Sequence, residues 1–159
     1  MRIRHDFHIH TELSLCADES ATVENYLEIA KNIGLTHLGF SNHFWDEKIP
    51  GATPFYVSQN FSHLLRLKPE LACRADPHIK LYFGCETEYD PIRRDVTITE
   101  KTAQQLDFIL VPNSHTHLMM PRDFYQPYQK HVDFMIQAYE DILSSSVYRY
   151  ITAIAHPFE

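Results

Sequence analysis

Short apolar segments alternate with amphipathic segments along the chain, and this alternation limits the possible folds more than any other feature. The clearest apolar segment, 108–112, has the sequence Phe-Ile-Leu-Val-Pro and contains no polar side chain. Strands that are apolar on both faces are typical of parallel sheets, because both faces of such sheets are covered. The sequence therefore predicts an α/β fold with a parallel sheet covered by helices. The predicted strands are 2–10, 36–42, 79–84, 108–112 and 150–155.

The amphipathic segments predict the helices between these strands. The first helix is capped by Ser20 or Thr22 and ends before Gly34, a residue that commonly terminates helices. A second helix begins at Ser58 and is expected to be interrupted near Pro69, because proline lacks the amide hydrogen that a helix interior needs. The remaining predicted helices cover 99–106 and 129–144.

Length and charge indicate the class of protein. With 159 residues, of which 44% are hydrophobic, the chain can build one core, and 1–159 is predicted to be a single domain. The formal net charge of −7 argues against nucleic-acid binding, because phosphate backbones require clustered Lys and Arg. A small phosphorylated substrate remains compatible with this charge, since bound cations can reverse the local potential.

The cysteines and the absence of long apolar segments predict a cytoplasmic protein. Cys16, Cys73 and Cys85 are odd in number and irregularly spaced, which fits reduced thiols better than a disulfide framework. No segment is apolar and long enough to cross a membrane, and no signal sequence is recognised at the N-terminus. The sequence does not define the oligomeric state.

Each predicted strand ends at a side chain that can bind a metal. Residues two apart on a strand point to the same side, so His8 and His10 could bind one ion, and the two oxygens of Glu86 could bridge two ions. The C-terminal edge of parallel strands is where active sites form in barrels and open α/β sheets. A metal cluster is therefore predicted at this edge, against the alternative of scattered core and surface histidines. The candidate ligands, strand by strand, are His8 and His10, His43, Glu86, His115, and His156.

In combination, these motifs resemble the PHP family, the polymerase and histidinol phosphatase domains. The resemblance rests on His-x-His-Thr at 8–11, Asn-His at 42–43, Gly-x-Glu at 84–86, Ser-His at 114–115 and His-Pro at 156–157. It covers the whole chain in the order of the family. It implies a distorted (βα)7 TIM-like barrel with two or three divalent metal ions at the C-terminal edge, which hydrolyse phosphate esters.

The resemblance also assigns ligands to the ions. His8 and His10 would hold the first ion, Glu86 would bridge it to the second, and His115 and His156 would complete the second. These five residues would act catalytically through the metals, which supply a hydroxide for attack on phosphorus. Mixed histidine and carboxylate ligands suit Zn, Mn or Fe, and the sequence does not choose among them.

A third ion would be bound by His43 and a residue of the loop 14–19. The family uses His or Asp there, and Asp18 is the preferred ligand. Cys16 is an alternative that would favour a softer metal, and Glu19 is a third candidate.

Three side chains are candidates for substrate binding. His117 follows His115 by two residues and could contact the substrate. Arg93 and Arg122 follow strand ends that carry ligands, as does Arg94, and a guanidinium group is well suited to binding a phosphate. The alternative for each arginine is a solvated surface position.

The last part of the family pattern is not found in this sequence. Family members continue beyond His-Pro with further strands and an Asp-x-His motif that supplies ligands to the first and third ions. Only about five βα units are predicted here, whereas single-chain barrels usually need about 200 residues or more. The chain is therefore expected to be a fragment of a longer protein. The site of Glu86, His115 and His156 could then be intact, with the other two sites under-coordinated.

The predicted function is metal-dependent hydrolysis of a phosphate monoester of a small metabolite, with histidinol phosphate as the best-known family substrate. One alternative is a non-catalytic or regulatory metal-binding module, like the PHP domains attached to DNA polymerases. Another is a metal-dependent amidohydrolase, which shares the His-x-His opening. The lysine bridge usual in amidohydrolases is absent where Glu86 stands, which counts against that alternative.

Overall fold

The computed structural model describes residues 3–157, so that Arg2, where the first predicted strand begins, and residues 158–159 lie outside the described part. The strands are β1 (His5–Ile9), β2 (His37–Phe40), β3 (His43–Phe44), β4 (Lys80–Thr87), β5 (Tyr89–Asp90), β6 (Asp95–Val96), β7 (Phe108–Pro112) and β8 (Ala153–Ala155). The helices are α1 (Val23–Ile33), α2 (Phe61–Leu64), α3 (Leu67–Cys73), α4 (Glu100–Ala103), α5 (Thr116–Met119) and α6 (Tyr128–Ser144), with 3-10 turns at Arg122–Phe124 and Tyr148–Tyr150.

The main sheet is parallel and follows the order of the chain. Its strands pair in the order β1, β2, β4, β7, β8, and β3 pairs with β4 beyond the end of β2. Strands that follow one another along the chain therefore lie side by side in the sheet, as they do in a TIM barrel. The predicted α/β class with a parallel sheet is confirmed.

The sheet is strongly curled at its C-terminal edge. In a flat sheet, four steps of about 4.8 Å would separate β1 from β8 by roughly 19 Å. His8 on β1 and His156 after β8 nevertheless stack their rings with centroids 5.4 Å apart. The described residues therefore form a five-stranded part of a TIM-like barrel, and not a closed barrel of seven βα units.

Helix α1 shows how local sequence sets the boundaries. The Thr22 hydroxyl accepts a hydrogen bond from the Asn25 amide at 3.2 Å, and Gly34 ends the helix with a φ of 80°. The predicted Thr22 cap and Gly34 terminus are both confirmed. The buried face of α1 packs into the main core, which also contains residues of the sheet and of α2, α3, α4 and α6. None of the described helices is both long and apolar enough to cross a membrane.

Several predicted boundaries are wrong. The helix predicted from Ser58 begins after the Asn60 cap, and it breaks between α2 and α3 rather than at Pro69. Pro69 lies in the first turn of α3, where a missing amide hydrogen costs little because no helical acceptor exists for it. Helix α4 ends three residues early, Tyr150 belongs to a 3-10 turn instead of β8, and the β5–β6 hairpin has no counterpart among the predictions.

Two glycines make room for an aromatic ring on the inner face of the sheet. A Cβ atom on Gly84 would lie 2.3 Å from Cε1 of Phe108, and one on Gly39 would lie 2.8 Å from Cζ of the same ring. Phe108 is buried and also packs against Phe7, with ring centroids 5.1 Å apart. The ring therefore fills the inside of the curled sheet beneath the C-terminal edge.

We expect Gly84→Ala to destabilise the protein by about 1–3 kcal/mol, the usual cost of overpacking a core. Urea unfolding of the variant measures this difference. The double variant Gly84→Ala/Phe108→Leu is the matched test, because a smaller side chain relieves the clash and the two effects should not add. Additive losses of stability would contradict the proposed contact.

Candidate metal centre

One buried carboxylate lies at the centre of the predicted ligands. Strand β4 continues to Thr87, so Glu86 lies within the strand, and it is 1% exposed. Five imidazoles surround its two oxygens, at distances of 4.0 Å or less. Oε1 lies near Nε2 of His8 (3.2 Å), His156 (3.1 Å) and His115 (4.0 Å), and Oε2 lies near Nε2 of His10 (3.1 Å) and Nδ1 of His43 (3.2 Å).

An irregularity in β1 directs both of its histidines into the site. The pairing of β1 with β2 shifts by one residue between Asp6 and Ile9. Phe7 packs on the inner face of the sheet against Tyr82, so an unbroken strand would turn His8 to the opposite face. The extra residue changes this alternation, as bulges do. His8 and Phe7 can therefore both face the interior.

Asn42 ties the first motif to the strand that carries Glu86. Its side-chain oxygen accepts a hydrogen bond from the Thr11 amide at 2.6 Å, and its amide group donates to the Thr11 hydroxyl at 2.8 Å. Its backbone carbonyl accepts from the Glu86 amide at 3.0 Å. The Asn of the Asn-His motif thus fixes the relative positions of three strand ends and places His43 beside Glu86.

The electrostatics of the cluster favour metal-binding protonation states. Burial acts to raise the pKa of the Glu86 carboxyl, but hydrogen bonds from His10, His156 and His8 outweigh it and hold that pKa well below its usual range. Burial lowers the pKa of His43 to about 3. Glu86 is therefore ionised and His43 neutral near pH 7, which are the forms that bind metals.

Hydrogen bonds to Ser114 and Glu88 determine which ring nitrogen of His156 and of His115 faces Glu86. The Ser114 hydroxyl donates to the His156 carbonyl at 2.8 Å, so it accepts from Nδ1 of that ring at 2.6 Å. Nδ1 of His115 donates to Glu88 at 2.8 Å, because a carboxylate only accepts. With Nδ1 donating in both histidines, a metal ion that replaced the proton on Nε2 would find a lone pair directed at the cluster, an arrangement typical of metal-binding histidines.

Glu88 is a buried residue beside the cluster that the sequence analysis missed. It is 2% exposed and accepts hydrogen bonds from the Tyr56 hydroxyl at 2.5 Å and the Tyr89 amide at 2.9 Å in addition to His115. Its spacing could have indicated it in the sequence. Glu86 and Glu88 are two residues apart, so their side chains point to the same side of β4 or its extension.

The backbone at His156 is strained. Its φ is 26°, in the left-handed region that favours glycine. Ser114 bonds both the carbonyl and the ring of this residue, and so it stabilises the unusual conformation. Strain of this kind is concentrated at functional sites, where the surroundings hold it in place.

The residues present fit divalent metal ions. Nδ1 of His43 is buried without a hydrogen-bond partner and lies 3.2 Å from Oε2 of Glu86, so an ion bound by these two atoms would satisfy it. Two groups of described residues have ligand atoms close enough to share an ion, and in them His8 lies with His156 rather than with His10. The groups are His8, Glu86 and His156, and His10, Cys16 and His43.

Asp18, the preferred third-ion ligand, belongs to neither of these groups, although it lines the same pocket as His10 and Cys16. It is exposed, and its carboxylate accepts hydrogen bonds from the amide and hydroxyl of Ser20 at 2.7 and 2.6 Å. The Ser20 hydrogen bonds lower the pKa of Asp18. Glu19 is exposed as well, whereas Cys16 places its sulfur 3.2 Å from Nδ1 of His10. Of the three loop candidates, Cys16 is the one whose ligand atom lies close to those of His10 and His43.

The substrate-binding candidates lie outside the cluster. His117 is exposed beside it, with its ring centroid 5.7 Å from that of His115. Arg93 and Arg122 are exposed, and within the described chain neither guanidinium lies within ion-pair distance of a carboxylate of the cluster. Arg94 instead forms a two-pronged ion pair with Asp141 of α6, at 2.8 and 3.0 Å.

Comparisons with known proteins agree with this geometry. The family model described as PHP domain matches residues 6–157, a segment that contains all of the strand-end ligands. No curated protein matches the chain.

Proposed function

Because the chain belongs to the PHP domain family, a family of metal-dependent phosphoesterases, we propose that it hydrolyses a phosphate monoester of a small metabolite with divalent metal ions bound around Glu86. The observation that carries this proposal is the convergence of five histidines on one buried carboxylate. A histidinol-phosphatase-like substrate is part of the proposal, as are Zn, Mn or Fe as the metal and a location in the cytoplasm.

Divalent ions in this cluster would supply a hydroxide for in-line attack and offset the charge on the phosphoryl oxygens. The chain itself keeps Glu86 ionised by hydrogen bonding and keeps His43 neutral by burial. Ser114 and Glu88 hold their histidine partners with Nε2 toward the centre. No serine or cysteine nucleophile is needed for this reaction.

Substrate would approach from the exposed side of the cluster. The His8 side chain is 36% exposed, and His117 is exposed next to His115. We propose that His117 contacts the phosphate or its leaving group. Arg93 and Arg122 remain proposed phosphate ligands that would have to move toward the cluster, whereas Arg94 is held by Asp141.

A panel assay tests the proposal. Chelator-treated protein is reloaded with Zn, Mn or Fe and incubated with phosphate monoesters, histidinol phosphate among them, and phosphate release is measured. We expect hydrolysis of at least one ester that is lost on chelation and restored by metal. Bound metal without hydrolysis of any ester would overturn the catalytic proposal in favour of a non-catalytic or regulatory metal-binding module.

A further inference from the structure

A cysteine lies next to the histidines on the opposite side of the ligand set from His156. The sulfur of Cys16, one nitrogen of His10 and one nitrogen of His43 all lie within 4.8 Å of one another. Sγ of Cys16 is 3.2 Å from Nδ1 of His10. Bond lengths of about 2.3 Å to sulfur and about 2.0–2.1 Å to nitrogen place the two ligand atoms of a tetrahedral zinc site about 3.6 Å apart, close to the observed distance.

The buried His43 side chain is a second sign that an ion binds among these residues. The side chain is 8% exposed, and its Nδ1 atom has no hydrogen-bond partner. A buried nitrogen without a hydrogen-bond partner destabilises the folded state, and a metal ion is one partner that removes this cost.

The loop that carries Cys16 is anchored from the protein interior. Gln59 is 2% exposed, and its side-chain oxygen accepts hydrogen bonds from the Ser14 hydroxyl at 3.2 Å and the Leu15 amide at 3.0 Å. Its amide group donates to the Phe55 carbonyl at 2.9 Å. The position of the cysteine is therefore set by a buried side chain, and the sulfur is presented to the histidines.

We propose that Cys16, His10 and His43 bind a zinc-like ion through one thiolate and two imidazoles, so that this site prefers Zn or Co over Mn or Mg. Thiolate ligands favour such metals, whereas a carboxylate in the same place would suit Mn or Mg. The inference rests on the proposed metal centre, and it adds a ligand of a different chemical class to it. The proposed thiolate site does not depend on the phosphoesterase activity.

The test compares Cys16→Ser with Cys73→Ser. Both cysteines are exposed, but Cys73 ends α3 away from the ligand set and is the matched control. After zinc loading and gel filtration, Cys16→Ser is expected to hold about one zinc per chain less than the wild type, and Cys73→Ser the same amount. Cobalt-loaded wild type and Cys73→Ser are expected to show a near-ultraviolet thiolate-to-cobalt charge-transfer band that Cys16→Ser lacks.

A measurement on the wild type alone guards against misfolding of the variant. Zinc is expected to protect Cys16, but not Cys73, from alkylation by iodoacetamide, as read by peptide mass spectrometry. Equal zinc in the wild type and Cys16→Ser, with no charge-transfer band and no protection, overturns the thiolate site and leaves the Glu86 centre standing. No metal in any variant overturns both this inference and the proposed function.

Discussion

Replacing Glu86 with glutamine is expected to abolish metal-dependent phosphoester hydrolysis and to remove the metal bound by His8, Glu86 and His156. The amide keeps the shape of the side chain but carries no charge, and its NH2 group presents hydrogens to ligands or to an ion. Loss of a group that only orients a metal ligand typically lowers metal affinity or activity by about 10- to 100-fold. Loss of a ligand at the centre should therefore exceed that range, measured as kcat/KM and as metal per chain.

The matched control for this variant is Glu28→Gln. Glu28 is an exposed glutamate on α1, so the same chemical change there removes charge without touching the cluster. It should retain wild-type metal content and activity. Circular dichroism and thermal unfolding of both variants separate loss of the site from loss of the fold. A Glu86→Gln protein with full metal content and a wild-type rate would contradict the assignment of this residue.

Glu88→Gln is expected to reduce metal affinity and activity by about 10- to 100-fold, although Glu88 itself lies behind His115. One carboxylate oxygen accepts from the Tyr89 backbone amide, which can only donate. The amide group of glutamine is therefore expected to face His115. Nδ1 of His115 must then accept, the proton moves to Nε2, and the lone pair that faces Glu86 is lost.

Tyr56→Phe is the control for this mechanism. It removes the other donor to the same oxygen of Glu88 and leaves the carboxylate and His115 in place. We expect it to lower stability with little change in metal affinity, measured by competition with a chromophoric chelator. A loss of affinity in Tyr56→Phe as large as in Glu88→Gln would show that packing around Glu88, and not the His115 tautomer, controls the site.

The strand-end ligands could be predicted because their positions follow from the chain direction alone. Parallel strands place their C-terminal ends at one edge, so His43, Glu86 and His115 had to approach each other once the strands were recognised. The apolar sequence of 108–112 was sufficient to predict a strand, and β7 has these bounds. The helix cap at Thr22 was also predictable, because it depends only on neighbouring residues of the chain.

The parts of the site that depend on distant contacts could not be predicted. The bulge that turns His8 inward arises from the pairing of β1 with β2 and leaves no mark in local sequence. The position of Cys16 beside His10 depends on Gln59, a side chain more than 40 residues away that hydrogen-bonds the loop. Local pattern gives the spacing of these residues but not the direction in which they point.

The central claim is that Glu86 and its histidines form a metal centre, and anomalous X-ray scattering tests it most directly. Crystals of the zinc-loaded protein are measured at the zinc absorption edge. We predict an anomalous peak about 2.0–2.2 Å from a carboxylate oxygen of Glu86 and from Nε2 of His8 and His156. Zinc found only at surface histidines, with no peak in coordination distance of Glu86, would contradict the account.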